Sequence, residues 1–208
     1  MPRKTGKILS NKTFLLVVEG KNEYLYFTDM KSLEKIQGLT IKTIKAKNSS
    51  PDNVLHTAIR LKKTEKQYDY IWCVYDYDVI LKDDILEKVE KVKTQAIKKG
   101  ICIADSLPSF EIWFLLHYRL PNKHYNDQYE LIEELKKLKD KNGKDCLSNY
   151  EKGMSGIYFK LKDLTSEAIK NSHILASRNK DEENKNASFC NVYKIFEELK
   201  TIKDKTNI

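Results

Sequence analysis

The amino-acid sequence predicts an α/β protein built on a parallel sheet flanked by helices. Three observations carry that expectation. Strand-like and helix-like segments alternate through the first half of the chain, as in a parallel sheet with right-handed crossovers. Two strands, residues 13–19 (TFLLVVE) and 69–75 (DYIWCVY), are nearly continuous apolar runs, which suits burial on both faces. Both runs lead directly into carboxylates, Glu19 and Asp76.

Residues 1–12 are basic and read as a flexible lead-in. The strand 13–19 stops at Gly20, and Asn22 is placed to cap a helix running to about residue 37, with Gly38 just beyond it. Residues 39–47 alternate apolar and polar side chains, as an edge strand does. A loop rich in Asn, Ser and Pro at 48–51 leads to a helix over about 52–67. After the strand 69–75, a charged helix over 83–99 ends at Gly100, and 101–104 forms a short fourth strand. Apolar spacing then predicts helices over 110–118, 127–139, about 157–175 and 188–200. Polar loops fall at 141–153 and 178–185, and the last residues, 201–208, are expected to fray.

The two most apolar strands belong at the centre, which gives a four-stranded parallel sheet of order 2-1-3-4. In that order the chain reverses direction between strands one and three, and open α/β sheets bind ligands at such a point, beyond the strands' carboxyl ends. The organisation expected is a basic N-terminus (1–12), an α/β domain (13–120) and a helical extension packed on it (121–208).

The net charge of +8 favours a polyanion partner, nucleic acid first, although lysines also serve as solvated surface. Four cysteines without close pairing read as reduced, buried thiols rather than a disulfide frame or zinc site. No apolar run is long enough to span a membrane and no signal core follows the basic start, so a cytoplasmic protein is expected. Neither a phosphate-binding loop nor a dinucleotide fingerprint is present. Nothing in the sequence forbids an oligomer.

The chemistry is expected at the strand ends. Neighbouring strands one and three would bring Glu19, Asp76 and Asp78 together. Converging carboxylates repel one another, and a hard divalent cation, Mg2+ or Mn2+, relieves that repulsion. An Asp-x-Asp after a strand is also an ordinary turn, so the pairing with Glu19 carries the weight. Glu23, in the first helical turn, either adds to the site or answers the helix dipole. Glu111, in the first turn of the helix after strand four, is a candidate fourth carboxylate or general base. His117 lies on the apolar stripe with Phe110, Trp113 and Phe114, as a core residue or a support to the metal ligands. Tyr150, Lys152 and Lys160, near Tyr158 and Lys162, mix aromatic and basic side chains as nucleic-acid-tracking surfaces do. Lys42, Lys45 and Lys47 flank the edge strand.

Glu19 after the first strand and Asp76/Asp78 after the third resemble the Toprim pattern of topoisomerases, primases and related nucleases. More narrowly, FLLVVEGKNEYLYF (14–27), SLPSFEIWFLLHY (106–118), the Tyr150-x-Lys152 pair, AIKNS (168–172) and NASF (186–189) resemble the RloB-like family, which includes AbiLii-type phage-defence proteins. The resemblance implies a Toprim-like fold and a metal-dependent nuclease acting in abortive infection or a restriction-linked operon, with a companion ATPase encoded alongside it. Three readings remain open: a Mg2+-dependent endonuclease cutting DNA or RNA, a non-catalytic module that binds nucleic acid or a partner protein, and a nucleotide-binding or phosphoryl-transfer protein using the same metal site.

Overall fold

The computed structural model describes residues 11–65, 68–78, 80, 85–140, 142–181 and 187–206. Five strands are present: β1 (Lys12–Val18), β2 (Leu39–Lys45), β3 (Tyr70–Asp76), β4 (Cys102–Leu107) and β5 (Phe189–Cys190). The α-helices are α1 (Lys21–Leu33), α2 (Pro51–Thr64), α3 (Leu86–Lys98), α4 (Glu111–Leu116), α5 (Gln128–Lys136), α6 (Ile157–Leu161), α7 (Thr165–Asp181) and α8 (Tyr193–Thr206). A 3-10 turn, Lys162–Leu164, joins α6 to α7.

The strands form one sheet of order β2-β1-β3-β4-β5. The first four are parallel, and β5 runs antiparallel to β4 through Ser106↔Cys190 and Leu107↔Phe189. The expected four-stranded sheet is therefore corrected to a five-stranded, mostly parallel one. Residues 188–200, read as one helix, split into β5 and α8, and α8 continues to Thr206 where fraying was expected. Residues 178–181, expected in a loop, extend α7, and the rest of that loop lies outside the described residues. The lead-in also shortens: residues 1–10 lie outside the described residues, and Lys12 already opens β1.

The continuous apolar runs follow from a sheet covered on both sides. Phe14, Leu16 and Val18 of β1, with Trp72 and Val74 of β3, enter one core shared with α1, α4, α7 and α8. Leu15 and Val17, with Ile71, Cys73 and Tyr75, enter a second core against α2 and α3. Successive strand residues point to opposite faces, so both sets must be apolar. Edge strand β2 buries Leu39 and Ile41 and leaves its far end polar, with Lys45 exposed.

The extension supplies much of the first core. Leu131, Leu135, Leu147, Tyr150, Ile157, Tyr158, Leu161, Ile195 and Phe196 pack with the sheet residues rather than around a centre of their own. Trp113, fully buried on α4, donates its indole N–H to the Tyr26 hydroxyl at 2.8 Å and stacks on Phe196 at 5.1 Å. Among the described residues no helix is long and apolar enough to cross a membrane. All four cysteines are free; Cys73 and Cys190 are buried, but Cys146 is half-buried and Cys102 exposed.

Candidate metal and phosphodiester site

The site is set by strand register. Val18 lies beside Val74, so Glu19, one residue on, and Asp76, two residues on, end neighbouring strands at the same end of the sheet. The Glu19 N–H donates to the Val74 carbonyl at 3.0 Å, holding the chain in line one residue past β1. Asp76 lies beside Ser106 of β4, which leads into the turn before α4. Glu19, Glu23, Asp76, Asp78 and Glu111 thus gather from β1, α1, β3 and α4.

Hydrogen bonds tie three of these carboxylates to neighbouring elements. Glu19 Oε2 accepts from the Asp76 N–H at 3.0 Å. Asp76 Oδ1 accepts from the Phe110 N–H at 2.8 Å, tying the end of β3 to the start of α4. Glu111 Oε2 accepts from Ser109 Oγ at 2.6 Å, and its Oε1 accepts from the Tyr150 hydroxyl at 3.0 Å and from Asn22 Nδ2. Asn22 Nδ2 also donates to the Tyr150 oxygen at 3.1 Å, and the Gly153 N–H donates to Asn22 Oδ1. The loop carrying Tyr150 and Gly153 is thereby fastened over the strand ends.

Two sequence readings change. Asn22 does not cap α1; Gly20 occupies that position, and Asn22 turns inward to hold Glu111. Tyr150 offers no stacking surface to nucleic acid, because its ring is buried and its hydroxyl is committed to Glu111. Asn22, Ser109 and Gly153 were missed as site residues. Gly20 has a further role: a Cβ there would stand 2.6 Å from Glu23 Oε2, so its bareness makes room for that carboxyl.

Charge crowding defines the electrostatics. Glu111 is 0%, Glu23 4% and Glu19 7% exposed, while Asp76 and Asp78 are half-buried. Burial, reinforced by the Asp78 charge, pushes the Glu19 carboxyl up to about 7 against the donated Asp76 N–H. Glu23 is pushed up to about 8 by burial and then by the charges of Glu111 and Glu19. The Asp76 carboxyl is raised well above the carboxylate range by burial and by Glu23, Glu111 and Glu19. Lys152 acts the other way on all three, favouring their charged forms. Its side chain is exposed and donates to Gln128.

Among the described residues, no group of three His, Cys, Asp or Glu side chains is placed so as to hold a metal ion. The donor set nevertheless suits a hard divalent cation. It consists of carboxylate oxygens, and three of the groups hold protons more tightly than usual because burial, and then their neighbours' charges, outweigh Lys152.

His117 is not among the site's contacts. It is buried, with Nδ1 2.7 Å from the Trp113 carbonyl and its ring edge-on to that indole at 4.7 Å. Its pKa is lowered to about 4 by burial. Lys160 is exposed on α6.

No curated protein and no solved structure matches the chain. A family model described as RloB-like protein matches residues 14–199. That match covers the sheet, the gathered carboxylates and the loop fastened over them, and the chain belongs to the RloB-like family.

Proposed function

We propose that this protein is a Mg2+- or Mn2+-dependent nuclease of Toprim-like architecture that hydrolyses phosphodiester bonds in nucleic acid, in the anti-phage setting its family resemblance implies. The observation that carries the reading is the gathering of Glu19, Glu23, Asp76 and Glu111 at neighbouring strand ends, with three of them raised in proton affinity. Structural ion clusters also perturb carboxylates, but a crowded set at the mouth of a parallel sheet, offset only by the exposed Lys152, is costly unless it serves a ligand.

Glu19, Asp76 and Asp78 would hold the cation, which when bound polarises a phosphodiester and makes water a better nucleophile. The alternative role for Glu19, whose carboxyl is pushed up to about 7 with no cation bound, is general acid or base in place of ligand. Glu111 is fixed by Ser109, Asn22 and Tyr150, so it orients a water without changing rotamer. Lys152, the cation acting on three of these carboxylates, meets the charge of the incoming phosphate.

Asp76→Asn tests this with little disturbance, because an amide oxygen still accepts from the Phe110 N–H. Incubated with plasmid DNA and with structured RNA, the wild type cuts one of them in Mg2+ or Mn2+ and not in chelator. The variant loses about 100-fold or more in rate, the scale of a lost electrostatic contact, and keeps its melting temperature. Undiminished cleavage by the variant would refute the role given to Asp76, and no metal-dependent cleavage by the wild type would refute the reading and leave a binding module.

A further inference from the structure

Beside the acidic centre lies a cleft of opposite character. It occupies about 460 Å3 between edge strand β2 and helix α2. Lys45, Lys47, Asn48, Asn53, Thr57 and Arg60 line it. The helix contributes Asn53, Thr57 and Arg60 at spacings of four and three residues, which places them on one face. The strand and its outgoing loop contribute the two lysines and Asn48.

Its charge is uncompensated. Among the described residues, Lys45, Lys47 and Arg60 make no ion pair, whereas Lys88, Lys93, Arg119, Lys123 and Lys136 each do. Asp52, the acid at the start of α2, is already committed to Lys88 at 2.6 Å and to the Ser50 hydroxyl at 2.7 Å. Lys45, Lys47, Asn48 and Arg60 are exposed. The cleft therefore presents three cations with amide and hydroxyl groups, the donor chemistry that phosphate oxygens accept.

Its position ties it to the carboxylates. Lys45 is the register partner of Val18, the residue before Glu19. The Ala46 N–H donates to the Val18 carbonyl at 2.9 Å, and Ser49 Oγ donates to the Glu19 carbonyl at 3.4 Å. Adjacent strands lie about 4.8 Å apart, so the cleft opens one strand out from the acidic centre, at the same end of the sheet. A cluster of carboxylates repels a polyanion, and neutralising charge beside it holds the chain in place.

We infer that the β2–α2 cleft is a phosphate subsite, in which Lys45, Lys47 and Arg60 grip the backbone of the nucleic acid next to the phosphodiester presented to the carboxylates. This rests on the nuclease reading for its orientation, but it is tested by binding alone. The strand runs across the sheet ends from β3 over β1 to β2. The subsite is blind to base sequence, because it reads only the backbone.

The test uses the full chain in chelator, so that no cutting occurs. Binding of labelled single-stranded DNA and RNA oligonucleotides is followed by anisotropy across a salt series, for wild type, Asp76→Asn, the triple variant Lys45→Gln/Lys47→Gln/Arg60→Gln, and a control with Lys136→Gln and Lys170→Gln. The triple variant is expected to lose about 10-fold or more in affinity at low salt, with the slope of log K against log salt falling by about 2, as three lost phosphate contacts require. The control and Asp76→Asn keep the wild-type slope. An unchanged slope in a triple variant with wild-type melting overturns the subsite, as does a wild type with no salt-dependent binding. Displacement of the oligonucleotide by equimolar inorganic phosphate or mononucleotide overturns the assignment to a backbone. Loss of slope in the triple variant, with no metal-dependent cleavage by the wild type in the separate plasmid and RNA assay, would keep the subsite and sink the nuclease reading.

Discussion

Two kinds of buried titratable residue pull the stability of this protein in opposite directions with pH. Glu23 is raised from the ordinary carboxyl range to about 8 in the folded chain. Its stabilising contribution is complete below about 4.5 and is lost as pH rises through 8, because the unfolded chain ionises the group more cheaply. Glu23→Gln should therefore stabilise the metal-free protein at pH 8.5 by on the order of 3 kcal/mol and make little difference at pH 5. Thermal melts in chelator at the two pH values check this, and equal effects at both would show that Glu23 is not held neutral by its surroundings. His117 behaves inversely. Its folded pKa lies at about 4, below the ordinary imidazole value, so stability is present above about 6.5 and is lost as pH falls toward 4. That loss amounts to about 3 kcal/mol. His117→Phe removes this acid-dependent part, which is measured as a flatter decline of denaturant-derived stability between pH 6.5 and 4. The same decline in both proteins would contradict it. Among the site residues, Glu19, Asp76 and Glu111 were legible because a strand end or a first helical turn fixes their place. Asn22 was misread because a polar residue at a helix start looks like a cap, and Tyr150 because a tyrosine near a lysine looks solvated. Their burial depends on a loop more than a hundred residues from α1 folding back onto it, which no local pattern encodes.

At the scale of elements, β1 and β3 were plain because continuous apolar runs are rare outside doubly covered strands. β5 was not, since two residues have no period and its pairing is decided by Ser106 and Leu107 far upstream. Its anchor is polar. The Asn191 N–H donates to the Asp105 carbonyl at 2.9 Å, and Asn191 Nδ2 donates to Asp105 Oδ1 at 2.7 Å, while Lys93 reaches Asp105 Oδ2 at 3.1 Å. Asn191→Ala leaves the nearly buried Asp105 carboxylate short of a donor and should cost about 2 kcal/mol, the usual value for a hydrogen bond to a charged group. Urea unfolding would measure it, and a cost near zero would mean that Lys93 alone satisfies Asp105. The end of α7 was also hidden, because a charge-rich stretch reads as a loop until the helix is seen to continue into it as far as Asp181.

At the scale of the molecule, the division into an α/β part and an extension describes the chain's order and not its energetics. Tyr26, Phe110, Trp113 and Phe114 sit in the same core as Tyr158, Ile195, Phe196 and Leu199. A fragment of residues 11–120 would expose that aromatic cluster to water. Each large side chain so exposed gives up about 2 kcal/mol or more of burial. The fragment should show no cooperative thermal transition and should bind a hydrophobic dye, as circular dichroism and fluorescence would report. A sharp transition would establish the first half as an independent domain.

The antiparallel closure of the sheet by β5 also bears on when the molecule comes into being. Ribosomes release a chain from its beginning, and here the last strand and last helix complete a sheet and core begun at residue 12. A nascent chain that stops short of them leaves the β4 edge unpaired and the aromatic core open. The closed sheet and the finished core therefore form only once residues 189–202 have been made and docked.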